Sequence, residues 1–322
     1  MATPRSDRPA PSASPMGSQL LRLMRMAESP QALAAAVVHP VDALSLGGAV
    51  AAAVQRLILP ILIGPKARVE AAALAAGLDI APYRLIDVAH SHEAAAKACE
   101  LAASGEAQAI MKGALHTDEL LEAVVAGDSG LRTERRMSHV FVLDVPGHPR
   151  PLLVSDAALN IAPDLTTKRD IVQNAIDCAL AMGIAVPKVA ILSAVETVNP
   201  KMISTLDAAA LCKMADRGQI VGGVLDGPLA FDNAISVESA AAKGIVSEVA
   251  GRADILIVPD IESGNILAKQ LFYLSHAQSA GIVMGARVPI ILTSRSDPEA
   301  SRLASCALAI LVRQHAPSKY VR

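Results

Sequence analysis

The sequence predicts an α/β fold of mostly parallel sheets flanked by helices. Three observations carry this. From about residue 18 onward, short β-branched runs alternate with helix-like stretches. Several of those runs stop on polar or glycine-containing segments, as strands do at the ligand-facing rim of an open sheet. Aromatic residues are scarce, with three Phe, three Tyr and no Trp, and small side chains supply much of the 52% hydrophobic content.

In chain order, Ser18 is placed to cap a helix over Gln19–Ala27, and Asp42 to cap another reaching about Arg56. The run Leu57–Ile63 ends at Gly64-Pro65 and reads as a strand, followed by an Ala-rich helix. Arg84–Val88 and Ala107–Met111 read as strands, with a helix over Ser91–Ala103 between them. Ser138–Val145 and Pro151–Val154 flank Pro146-Gly147-His148-Pro149, a hairpin signature that marks an antiparallel edge and a domain change near residue 136. Alternation then resumes. The expected helices are Lys168–Met182, Met202–Arg217, Val237–Lys243 and Asn265–Ala277. The expected strands are Lys188–Leu192, Gln219–Leu225, Ala253–Val258 and the final run Val288–Leu292. Residues 1–17 alternate proline with Ser, Ala and Arg and read as a disordered tail.

Composition excludes several classes. The net charge of −2 gives no basic field for nucleic acid. No run approaches the roughly 18 apolar residues of a membrane span. Cys99, Cys178, Cys212 and Cys306 are widely spaced and lie in helix-like segments. They read as reduced thiols in a cytoplasm, with neither a disulfide frame nor a zinc site. His90, His92 and Glu93 give no common ligand face and read as surface residues, so no metal is expected.

The strand ends hold the candidate chemistry. Val288–Leu292 runs into Thr293-Ser294-Arg295-Ser296-Asp297. A hydroxyl and a guanidinium at a strand end suit a phosphate or another oxyanion, and a loop arginine paired with Asp297 or Glu299 is the competing reading. Lys112-Gly113 offers a point charge and close backbone approach, with Thr117 placed to cap the next helix. A tight βα turn with a surface lysine explains the same residues. Arg132, Arg135 and Arg136 are either a solvated loop or a grip on a long anionic ligand. Asp226 and Asp232 could serve proton transfer or a metal, or start a turn and cap a helix, Asp232 favouring the cap.

Together the motifs Met111-Lys112-Gly113, Met137-Ser138-His139-Val140, Ser155 through Pro163, Ser193 through Met202, Val224 through Leu229, Glu262-Ser263-Gly264-Asn265 and Leu292-Thr293-Ser294-Arg295 are specific. The chain resembles the phosphate acetyl/butyryltransferase family, with a pattern similar to its butyryltransferase-like branch. The resemblance implies a two-domain fold like that of isocitrate and isopropylmalate dehydrogenases, with the active site in the cleft. Domain I would be residues 18–135 plus 285–322, and domain II, residues 136–284, would build a homodimer. It implies reversible exchange of a short acyl group between coenzyme A and inorganic phosphate, both substrates, with no tightly bound cofactor. It implies catalytic roles for Ser294 and Arg295, with Asp226 or Asp297 as proton acceptor. Substrate contacts would come from Lys112, Gly113, Thr117, Arg132, Arg135, Arg136, Ser138, His139, Asn160, Glu196 and Asn265. Two departures stand out. The aspartate of the acetyltransferase branch falls at Ser301, and a family arginine falls at Glu122. They keep open a catalytically altered, CoA-binding or regulatory homologue, or another enzyme of the same fold.

Overall fold

The structure, a computed structural model, describes residues 16–29, 31–293 and 297–315. In chain order these form α1 (Ser18–Met26), β1 (Leu33–Val38), α2 (Ala43–Val54), β2 (Ile58–Gly64), α3 (Lys66–Ala76), β3 (Arg84–Asp87), α4 (Ser91–Ala103), β4 (Ala109–Lys112) and α5 (Thr117–Val125). The hairpin β5 (Ser138–Asp144) and β6 (Leu152–Ser155) follows. Next come α6 (Leu165–Ala181), β7 (Lys188–Leu192), α7 (Ile203–Asp216), β8 (Val224–Leu229), α8 (Phe231–Ile235) and α9 (Val237–Ala242). The chain closes with β9 (Ile255–Ile257), α10 (Ile261–Tyr273), β10 (Gln278–Met284), β11 (Ile290–Ile291) and α11 (Glu299–His315).

All described strands join one sheet in the order β3-β2-β1-β4-β11-β10-β5-β6-β9-β7-β8. Pairing is parallel except where β10 meets β11 and β5, and where β5 meets β6. Those antiparallel contacts reverse the sheet. Strands β1 to β5 and β11 run one way, and β6 to β10 run the other. Within one chain the polar strand ends therefore divide between two opposite edges rather than gathering on one rim. Lys112 and Thr293 lie at one edge, and Ser155, Ser193 and Pro259 at the other.

Helices cover both faces. One core joins α1, α2, α6 and α11 to the sheet, with Leu20, Leu46, Ile171 and Leu308 fully buried or nearly so. On the other face α4 and α5 pack over β1, β4 and β11, and α10 packs over β6 and β9.

Several local expectations hold. Asp42 caps α2 through the Ser45 amide at 2.7 Å, the hairpin is present, though inside the sheet rather than at an edge, and all four cysteines are free and lie in helices. Others are corrected. Gly17, not Ser18, is the N-cap of α1. The buried Asp144 carboxylate accepts from the Gln19 and Leu20 amides instead, at 2.7 and 3.3 Å. Thr117 is the first residue of α5, and His116 is its N-cap. Ser236, not Asp232, caps α9 through the Ser239 amide. The strand expected at Gln219–Leu225 is displaced, so Asp226-Gly227-Pro228 lies inside β8. Proline is tolerated there because β8 is an edge strand with no further partner in the sheet.

Candidate active site

β4 ends on Lys112, which is buried, with Nζ 3.4 Å from the Gly113 carbonyl. A side chain at Gly113 would collide with the carbonyls of Val38 and His39. The Ala114 amide donates to His39 at 2.9 Å. The close approach that Gly113 permits is thus to the end of β1, as the turn reading requires. Asp118 and Glu119 occupy the first turn of α5 and oppose its positive end.

β11 pairs with β4, Ile291 against Met111, so Thr293 leaves the sheet at the same edge as Lys112. Ser294 and Arg295, the expected catalytic pair, lie outside the described residues. Asp297 is half-buried just before α11.

Near the other end of β11 opens a cleft of about 680 Å³, within the usual range for small-molecule sites. Arg132, Arg135, Arg136 and Asn160 all line it. Their duties differ. Arg135 is paired with Asp177 at 2.5 Å. Arg136 donates its backbone amide to Asp170 at 3.0 Å. The guanidinium groups of Arg132 and Arg136 form no ion pair among the described residues, and both residues are exposed. The first turn of α6 adds Thr166, Thr167 and Arg169 to the cleft. Sequence reading missed these three. Their signal was the pair Lys168-Arg169 just after an N-cap, where cations oppose the helix dipole.

Under the cleft, Ser138 accepts from Asn174 Nδ2 at 3.0 Å. The neighbouring His139 is fully buried, its ring edge-on to Phe141 at 4.3 Å between centroids. Burial pushes its pKa down to about 4, against smaller upward pulls from the Asp156 carboxylate and the Leu292 carbonyl. Neutral at ordinary pH, this imidazole packs against the sheet rather than presenting a charge. Asn160 donates Nδ2 to Met137 O at 2.9 Å and to Asp156 at 2.5 Å, and Asn265 donates to Ala157 O at 3.2 Å. Gly264 lets α10 sit close, since a side chain there would stand 3.0 Å from the Asp156 carbonyl.

Glu196 and Asp226 are not brought to either place. Glu196 binds Lys243 at 3.2 Å and Asn233 at 3.3 Å beyond β7. Asp226 sits on β8, six positions from β11 in the sheet order, or on the order of 29 Å at ordinary strand spacing. No cluster of three or more metal-ligating side chains occurs among the described residues.

A sheet edge with a buried lysine and a cleft holding unpaired guanidinium groups are the features of an anion-binding α/β protein. A sequence model of the family described as "Phosphate acetyl/butaryl transferase" matches residues 88–310. The chain belongs to this phosphate acetyl/butyryltransferase family. It is 59% identical over 290 residues to a phosphate acetyltransferase of Rhizobium meliloti, covering 90% of this chain and 92% of the other. It is 46% identical over 252 residues to a phosphate butyryltransferase of Clostridium acetobutylicum, covering 78% and 84%. The crystal structure of a branched-chain phosphotransacylase from Enterococcus faecalis superposes with a TM-score of 0.77 at 30% identity, covering 88% of this chain and all of that one.

Proposed function

We propose that the chain is a phosphate acyltransferase, exchanging a short acyl group reversibly between coenzyme A and inorganic phosphate. Family membership across most of the chain carries this reading. The cleft supports it, because a CoA thioester has a long polyanionic body and Arg132 and Arg136 offer it two exposed guanidinium groups.

Phosphate is already a nucleophile, so the protein must mainly hold and orient it. One phosphate oxygen attacks the thioester carbonyl carbon. The C–S bond then breaks, acyl phosphate leaves, and the proton lost by phosphate reaches the CoA sulfur. In this reading Arg295 binds phosphate, Ser294 donates to the carbonyl oxygen or the departing sulfur, and Lys112 stabilises developing charge. Of the two candidate carboxylates, Asp297 follows the end of β11, whereas Asp226 is six strands away, so Asp297 is preferred as proton acceptor. No cysteine serves as nucleophile. Burial pushes Cys99 up to about 11 and Cys178, Cys212 and Cys306 up to about 12, and such thiols are inert.

The division into residues 18–135 plus 285–322 and residues 136–284 belongs to the same reading, as does a homodimer built on the second part. Support for the dimer comes from exposed Ile203 and Leu206 on α7, Ile266 and Tyr273 on α10, and Leu274 at its C-cap. A cytoplasmic setting fits the four free cysteines. Among the described residues, no helix is long and apolar enough to cross a membrane. Acetyl, propionyl and butyryl groups are the candidate cargoes.

Free thiol followed with acetyl-, propionyl- and butyryl-CoA, with and without phosphate, tests activity and chain length together. Binding of CoA without phosphate-dependent turnover would instead favour a regulatory homologue, the reading to which Ser301, buried at 2% exposure, lends its weight.

A further inference from the structure

A second cavity, of about 240 Å³, opens beside the cleft. The end of α11, the middle of α6 and the turn between β10 and β11 enclose it. Thr133, Arg135, Gly285 and Ala286 line both spaces and form the wall between them. Most of the remaining lining is carbon, from Leu180, Met284, Val288, Pro289 and Val312. At roughly 30 Å³ for each water-sized group, about eight such groups fit.

Polar side chains around this space are mostly committed to the protein. Thr133 Oγ1 donates to the Gly285 carbonyl at 2.5 Å, Asn174 Nδ2 to the Arg136 carbonyl at 2.9 Å, and Arg287 Nη1 to the Gly130 carbonyl at 2.9 Å. Arg135 is paired with Asp177. These bonds hold the walls in place. Arg313 is the exception. Its Nε is buried and has no hydrogen-bond partner among the described residues. Arg313 lies in the last turn of α11, where a cation complements the helix dipole. That role is served from the surface and needs no buried nitrogen. A buried donor left alone is costly. The lining also carries the guanidinium groups of Arg135, Arg287 and Arg313 against the one carboxylate of Asp177. Apolar walls, an excess of positive charge and one unmet donor suit a small anion with a hydrocarbon tail.

We propose that this cavity is a binding site for a small aliphatic monocarboxylate. The carboxylate accepts from Arg313 Nε in a charge-assisted bond. The tail lies against Leu180, Met284, Val288 and Val312. A chain of about six carbons, with roughly eight non-hydrogen atoms, matches the volume. The site does not depend on which reaction the cleft supports. Arg132 and Arg136 line the cleft and not this cavity.

Saturation-transfer NMR titration of the full chain with sodium hexanoate and with hexan-1-ol tests the site. Hexanoate is expected to bind with a Kd of about 1 mM or below, and hexan-1-ol about 10-fold more weakly. Arg313→Met keeps the bulk and removes the charge, so it should weaken hexanoate about 10-fold or more and leave hexan-1-ol unchanged. Val312→Phe fills the space and should abolish binding of both. Arg132→Ala combined with Arg136→Ala should bind hexanoate as the wild type does. If Val312→Phe does not fold, Arg313→Met, at a partly exposed helix end, carries the decision. Absence of hexanoate binding up to about 10 mM overturns the proposal. So does binding that survives Arg313→Met or a folded Val312→Phe. Loss of binding in the Arg132 and Arg136 double variant overturns it as well, because that outcome puts the carboxylate in the cleft. Equal affinity for hexanoate and hexan-1-ol overturns it too, since the cavity would then read only carbon.

Discussion

Asp156 and Asn160 are joined twice: the backbone amide and Nδ2 of Asn160 both donate to Asp156 Oδ2, at 3.0 and 2.5 Å. The other oxygen accepts from the amides of His139, Ala158 and Leu159 at 3.2, 3.0 and 3.1 Å. One buried carboxylate thus gathers five N–H groups and ties the loop after β6 to the start of β5. Asp156→Ala strips all five of their acceptor, and a donor left alone out of reach of water costs about 1–3 kcal/mol before relaxation, the His139 amide being buried and the others half-buried. Urea denaturation is expected to show a loss of at least 3 kcal/mol, a conservative fraction of that sum. A loss below about 1 kcal/mol would show that water replaces the carboxylate.

His139 carries a pH signature. Its folded pKa, about 4, lies below the ordinary value of 6.5. As pH falls between these values, the unfolded chain takes up a proton that the folded chain refuses. Stability from this residue is therefore full above about pH 6.5, declines toward pH 4 and levels below it. His139→Gln, which cannot titrate, should flatten this part of the Tm profile relative to wild type. Parallel profiles for the two proteins would sink the assignment of His139 as a buried neutral imidazole.

The cleft arginines should separate by role. Arg132→Ala combined with Arg136→Ala removes two exposed charges with no ion-pair partner, so Tm should barely move while the acyl-CoA KM rises about 10-fold or more. Arg135→Ala removes the ion-pair partner of Asp177, which keeps its hydrogen bond from Gln173 Nε2 at 3.0 Å, and should lower stability by about 1 kcal/mol or less, the pair being partly exposed. Steady-state kinetics and thermal unfolding on the same preparations check both. A double variant with normal acyl-CoA saturation would remove these arginines from the site.

Much of this was legible in the sequence because the signals are local. The Asp42 cap, the Pro146–Pro149 turn and the helical cysteines each depend on a few neighbouring residues. What the sequence hid is long-range. Asp144 caps α1 across 125 positions, so Ser18 looked like the cap. β1 is Leu33-Ala-Ala-Ala-Val-Val, too rich in alanine to read as a strand. β10 was missed because it centres on Gly281, where a Cβ would stand 2.8 Å from the Leu292 carbonyl and 2.9 Å from His139 Nε2. Tight neighbours, not strand propensity, chose that residue.

The candidate site was legible as a set of motifs but not as a map. Lys112 and the Arg132–Arg136 cluster both read as candidate anion contacts, yet they lie toward opposite ends of β11, because Lys112 ends β4 whereas the cluster leads into the start of β5, a strand that runs the same way. Glu196 and Asp226 joined the same list through their motifs, and only the sheet order shows how far away they are.

Thiol chemistry gives another test. All four cysteines are pushed to pKa values of about 11 or 12, so iodoacetamide at pH 8 should leave activity intact over a time that fully alkylates free glutathione. Rapid inactivation with one label per chain would place a reactive thiol at the site.

The most direct measurement mixes enzyme at substrate-like concentration with acetyl-CoA and follows CoA release, first without phosphate and then with it. Direct attack by phosphate gives no burst in its absence, and saturable release matched by acyl phosphate once it is added. A burst of CoA equal to the enzyme concentration without phosphate, with an acyl group retained on the protein, would contradict the account.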